Sequence, residues 1–367
     1  MARNIVLCCD GTANEFARDR TNVVKLFYTL IHDPLYQATY YHPGLGTMEA
    51  VGALTTTTRK VTKMLGYFIG YGLEVDIRDA YVFLMNQFLD GDRVFLFGFS
   101  RGAYTVRCVA ALLHMYGLIR PGNEPLVPYA IRMMMAITAL RERKAPSAEI
   151  DAYFDLAADF KQHFCIERCD PHFVGVWDTV SSIGWIETPV RLPYTADSPN
   201  IAIGRHAVAI DERRAFFRSN LWHPTPKGGP KDLKQVWFPG AHGDVGGGYP
   251  EAQSAPSKVA LKWMLDEAKA AGLLVDAARE DRILGRSGGG LVPPDPRADI
   301  HDSLSAKWWL AEFVPKRHFN FARHEEERRM NLFRRRTVPS GSLIHASAYG
   351  RGAEYDSHLP ADAVRVA

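Results

Sequence analysis

Short, nearly continuous apolar runs punctuated by turn residues recur along this chain. Residues 4–10 (NIVLCCD) form the first, stopped by Gly11. An unbroken apolar run sends side chains to both faces of a pleated strand, so it predicts a strand buried on both sides, as in a parallel sheet. Residues 94–97 (VFLF) give the clearest such strand; 173–177, 206–210 and 235–238 predict three more, and 38–42 is β-rich up to Pro43-Gly44. Between these runs the period changes. Residues 22–32, 60–89 and 103–116 have helical spacing, and 257–271 has the period of a surface helix. The order strand, tight turn, helix at 94–116 is an α/β crossover unit.

The remaining segments refine that outline. Residues 124–164 read as largely helical and predict a cap insertion around 120–168. The stretch 47–58, rich in Thr, Ala and Gly, reads as an excursion from the fold. Residues 287–297 (SGGGLVPPDPR) are loop by composition. Residues 308–336 are aromatic and then strongly basic, and Glu325–Glu327 would serve as internal partners if 316–336 were a solvated helix. With no internal repeat and no long linker, the expectation is one domain over 1–367 carrying a C-terminal helical extension over 255–367.

Composition narrows the class. Of 367 residues, 47% are hydrophobic and 23% charged, with a formal net charge of +3. That is enough apolar material for a large core and too little basic excess for a dedicated nucleic-acid binder, so no nucleic-acid partner is expected. The five cysteines show no regular framework, which excludes a secreted disulfide scaffold. Cys165 and Cys169, with His163 and His172 nearby, lack the second pair a structural zinc site needs. The first strand starts too early for a signal peptide, and no apolar run is long enough to span a membrane. These features predict a cytoplasmic protein, or one exported without a cleaved signal.

The chemistry concentrates at strand ends. GFSRG at residues 98–102 fits G-x-S-x-G, in which glycines allow a sharp strand-to-helix turn and the serine projects above the sheet edge. This makes Ser100 the candidate nucleophile. A serine hydroxyl needs a base and the base an orienting acid, in the chain order Ser, acid, His for this fold. Asp178 ends the strand in GVWDTV, and His242 follows another strand in PGAHGDVGGGY. Asp244 is the rival acid. The oxyanion donors would be the backbone N–H of Arg101 and one from Gly11 or Thr12 after the first strand, in a loop supported by Asp10 and Asn14. Both that loop and Asp178 also have plain structural readings, as turn and cap residues.

CCDGTANE, TNV, YYHPGLGT, GDRVFLFGFSRGAYTVR, VGVWDTVSS, HAVAIDERRAFF and PGAHGDVGGGY occur in this order over residues 2–250. The set resembles the DUF2235 family, the catalytic region of Tle1-like type VI secretion phospholipase effectors. His345 and residues 351–360 extend the likeness weakly. The resemblance implies an α/β-hydrolase fold, with a mostly parallel sheet and helices on both faces, and a Ser-Asp-His triad cleaving carboxylic esters without metal or organic cofactor. It implies a lipid or small-ester substrate, room for peripheral membrane contact, and a secretion-system partner. Set against that resemblance, the length predicts something close to a bare catalytic module, without the added membrane-targeting regions of the larger effectors.

Two other readings stand beside it. Asp10, Asp178, His242 and Asp244 at strand ends would suit a metal-dependent phosphoesterase, and the fold would also serve a non-catalytic interaction module. Residues 47–71, apolar with Lys60 and Lys63, read as a helix packed on the sheet or as a lid meeting lipid.

Overall fold

The computed structural model describes residues 2–11, 20–44, 58–166, 169–180, 184–185, 188–189, 192–215, 217–223, 228–304, 309–313, 315–320 and 325–367. Its frame is one eight-stranded sheet. The strands are β1 (Asn4–Cys9), β2 (Gln37–His42), β3 (Arg93–Phe99), β4 (Pro171–Trp177), β5 (Ile203–Ala209), β6 (Asp232–Phe238), β7 (Leu343–His345) and β8 (Val364–Val366). They lie in the order β8-β7-β6-β5-β4-β3-β1-β2, and every pairing in this sheet is parallel.

The apolar runs explain the layering. Along β1 and β3, Ile5, Leu7, Cys9, Val94 and Leu96 join one core, while Val6, Cys8, Phe95, Phe97 and Phe99 join another. That two-residue alternation puts a hydrophobic face on each side of the sheet. The first face carries α2 (Thr58–Gln87), α3 (Arg101–Tyr116), α4 (Val127–Glu142) and α5 (Ser147–Phe164). The second carries α1 (Asn22–Thr29), α7 (Ala255–Ala270) and α8 (Ala277–Ile283), with α6 (His242–Gly246) between β6 and α7. Helices therefore cover both faces, as expected for an α/β protein. The segment expected as a cap, 120–168, supplies α4 and α5, which pack on α3 and α2.

Two expectations are corrected. Residues 255–367 are not a helical extension: after α7 and α8 the chain returns to the sheet as β7 and β8 and builds a third core, with Ile344, Ala348 and Leu359 against Val208 and Trp237. Three-residue strands leave too short a pattern to read, and β6 sets the register of β7 through Val236 and Trp237. Residues 316–336 are not a solvated helix either. Lys316–Asn320 and Glu325–Arg329 pair as antiparallel strands, with Glu325, Glu326 and Glu327 in register with Asn320, Phe319 and His318, so the backbone here is extended and the glutamates are not one helical turn from basic partners. The 47–58 excursion and most of the possible lid at 47–71 lie outside the described residues and side chains.

Candidate active site

β3 carries the chain through Gly98 and Phe99 to Ser100, and α3 starts at Arg101. Ser100 is forced to φ 58° and ψ −117°, a conformation that costs a non-glycine residue on the order of 1–3 kcal/mol. The flanking glycines make the bend possible. A Cβ on Gly98 would lie 2.4 Å from the Gly102 carbonyl oxygen, and one on Gly102 would lie 2.1 Å from that of Cys9. Both obstacles are backbone, so neither can rotate aside. Gly102→Ala is expected to destabilise the fold by about 3 kcal/mol, the upper end of the overpacking range. A urea midpoint unchanged from wild type would show that α3 can draw away from β1 freely.

The Ser100 N–H donates to the Trp177 carbonyl at 3.1 Å, tying the turn to the end of β4. The next residue, Asp178, is fully buried and also left-handed, at φ 38°. Its carboxylate gathers four hydrogen bonds. Oδ1 accepts from the Ala209 N–H at 3.0 Å and from Arg336 Nη1 at 2.5 Å; Oδ2 accepts from His242 Nδ1 at 2.5 Å and from Arg336 Nη2 at 3.0 Å. Burial opposes ionisation, but Arg336 and His242 together hold the Asp178 carboxyl well below the usual carboxylate range.

His242 opens α6 directly after β6 and is clamped between aromatic rings. Phe99, the neighbour of Ser100, lies 4.5 Å from its ring centroid and Phe217 lies 4.8 Å away. Its backbone N–H donates to Glu212 Oε2 at 3.1 Å. Glu212 also accepts from Arg214 at 2.9 and 2.8 Å and from Ser303 Oγ at 2.9 Å. Burial alone would raise the Glu212 carboxyl, yet Arg214 keeps it below its ordinary range. With Nδ1 donating to Asp178, the imidazole is set in the tautomer whose Nε2 is free to accept a proton.

Reading the sequence missed Arg336, Glu212 and His206. Glu212 and Phe217 sit in the quoted HAVAIDERRAFF stretch, which was a signal for them. His206 accepts from the Thr179 N–H at 3.2 Å and is pushed down to about 3 by burial, so it is a neutral, packed histidine beside the site.

The other expected residues fall elsewhere. Asp10 Oδ1 accepts from the Gly11 N–H at 2.7 Å, and Oδ2 accepts from Thr21 Oγ1 at 2.6 Å and Tyr41 at 3.0 Å. The Gly11 N–H, expected as an oxyanion donor, is thus already engaged by Asp10. Thr12 and Asn14 lie outside the described residues. Arg101 is the first residue of α3, where a backbone N–H has no intrahelical acceptor. Asp244 does not reach His242. It accepts from the Ala241 N–H at 2.9 Å, the His301 N–H at 2.9 Å and His301 Nδ1 at 2.6 Å, and His301 stacks on Tyr249.

A metal centre made of Asp10, Asp178, His242 and Asp244 is not assembled, because these residues fall into three separate hydrogen-bonded groups. Among the described residues no three His, Cys, Asp or Glu side chains converge as metal ligands. Cys165 Sγ donates to the Tyr116 carbonyl at 2.7 Å, while His163 and His172 bond the carbonyls of Asp159 and Ala271. No described helix is long and apolar enough to cross a membrane.

Comparison with known proteins gives four likenesses. The family model described as "T6SS, Phospholipase effector Tle1-like, catalytic domain" matches residues 3–267. An uncharacterized protein of Saccharomyces cerevisiae is 34% identical over 232 residues, covering 61% of this chain and 33% of its own length. The chain therefore spans about a third of that curated relative. Among solved structures, an uncharacterized Pseudomonas aeruginosa protein aligns with TM-score 0.42 and 18% identity, over 75% of this chain and 46% of its own. A Tle1 effector bound to the VgrG spike of the type 6 secretion system aligns with TM-score 0.34 and 20% identity, over 68% and 52%.

Proposed function

This chain belongs to the Tle1-like phospholipase-effector catalytic-domain family, and on that premise we propose that it is a serine hydrolase of carboxylic esters acting on lipids, with Ser100 as nucleophile, His242 as base and Asp178 as orienting acid. The observation that carries this reading is the buried 2.5 Å contact between Asp178 and His242 beside a serine held on a strained strand-to-helix turn. His242 Nε2 takes the Ser100 proton as Oγ attacks the ester carbonyl. The Arg101 N–H, with a second donor from the loop after β1, receives the oxyanion. His242 then protonates the leaving alcohol; in the second half it takes a proton from the water that attacks the acyl-enzyme and returns it to Ser100 Oγ as the carboxylic acid departs. No cofactor enters these steps. The substrate is a phospholipid or other lipid ester, and contact with a membrane surface and a secretion-system spike belongs to the same reading.

The test is labelling by a fluorophosphonate, with fatty-acid release from phospholipid vesicles measured in parallel. Labelling confined to Ser100, together with release, is the expected result. Release that persists after every labelled site is blocked would overturn the reading.

Asp244 and Asp178 differ in what they should do. Asp244 holds His301 and the Ala241 N–H, so Asp244→Asn is expected to reduce kcat/KM less than about tenfold, the range of an indirect structural effect. A loss of about a thousandfold would move Asp244 into the catalytic machinery.

A further inference from the structure

We infer that Arg336 is a positioning residue of the hydrolytic site: its guanidinium fork locks the Asp178 carboxylate in the plane that engages His242 and balances its charge, so that the base stays ready at lower pH. The inference rests on the Ser100–His242–Asp178 reading and extends it to a residue 158 positions from the acid. Three observations carry it. Arg336 meets Asp178 through both terminal nitrogens, at 2.5 and 3.0 Å, the bidentate geometry only a planar guanidinium supplies. Its remaining bonds, to the carbonyls of Ala209 and Phe217, fasten it to the end of β5 and to the backbone of the residue whose ring packs on His242. The pair is removed from water, with side chains 8% and 0% exposed.

The sign of the effect follows from charge. The groups facing the dyad are Arg336, Glu212 at the His242 N–H with Arg214 behind it, and neutral His206 behind Thr179. An uncompensated Asp178 would favour a proton on the dyad and take the base out of action as pH falls. Arg336 cancels much of that charge. Removing it makes the dyad take up a proton at higher pH, whichever partner formally holds it. An adjacent opposite charge moves such a titration by about 1–3 units.

The test is the pH dependence of the fluorophosphonate labelling rate for wild type, Arg336→Met and Arg336→Lys, each normalised to its own titratable sites so that unfolded chains do not count. For Arg336→Met the acid limb is expected to move up by about one unit or more, with a plateau rate lower by about 10–100-fold from the loosened carboxylate. For Arg336→Lys, which keeps the charge but loses the fork, the plateau is expected to fall with the acid limb near its wild-type place. Should the methionine variant not fold, the lysine variant decides: a limb displaced by a full unit, or a plateau equal to wild type, overturns the inference. In a folded methionine variant, an unmoved limb does the same. Labelling of wild type that survives Ser100→Ala would instead overturn the underlying reading of the site, so the two failures are distinct.

Discussion

Ser100→Ala is expected to abolish fluorophosphonate labelling and to lower kcat/KM by at least about 10⁴-fold, because members of such a triad act as a unit and losing the nucleophile forfeits most of the chemical acceleration. The structure adds that this loss should come without loss of stability. The Ser100 side chain makes no capping hydrogen bond to α3. The bend at φ 58° is enforced by neighbouring backbone, through the close approaches at Gly98 and Gly102. The backbone bond from Ser100 to Trp177 is also independent of the side chain. Alanine should therefore occupy the same strained turn, and the variant should unfold at the wild-type urea midpoint. Kinetics within tenfold of wild type would remove Ser100 from the mechanism. A large drop in midpoint would mean that the hydroxyl supports the fold.

How far the sequence revealed this site depends on which interactions are local. β1, β3, β4, β5 and β6 were legible because uninterrupted apolar runs leave few alternatives to a doubly covered strand. The turn at Ser100 was legible because two glycines at fixed spacing answer to two backbone collisions. β7 and β8 were not, since Leu343–His345 and Val364–Val366 are strands only because β6 offers an edge for β7 and β7 for β8. The basic stretch before Arg336 misled for a related reason. Its charges suggested a solvated helix, but Arg336 itself is drawn inward by a carboxylate far away in the chain. Asp178 and Asp244 could not be separated by pattern, because both follow strands near glycines. Only the fold reveals that one faces His242 and the other His301.

Asp178→Asn should produce the second large effect, and here activity and stability should fall together. The carboxylate receives only donors: the Ala209 N–H and one Arg336 nitrogen on Oδ1, His242 Nδ1 and the other Arg336 nitrogen on Oδ2. An asparagine amide must aim its NH2 group at one of these pairs. If NH2 takes the Oδ2 position, His242 turns to the wrong tautomer and its Nε2 carries a proton it should be accepting; the expected cost is about 10⁴-fold in kcat. If NH2 takes the Oδ1 position, it opposes Arg336 and the Ala209 N–H. In either orientation Arg336 keeps its charge in a buried site without a counter-ion, which costs about 3–5 kcal/mol. The expected result is a variant with a clearly lower urea midpoint and almost no labelling at any pH. A variant as stable as wild type would show that the buried pair contributes nothing to folding. Labelling within tenfold of wild type would show that His242 is oriented by some group other than Asp178.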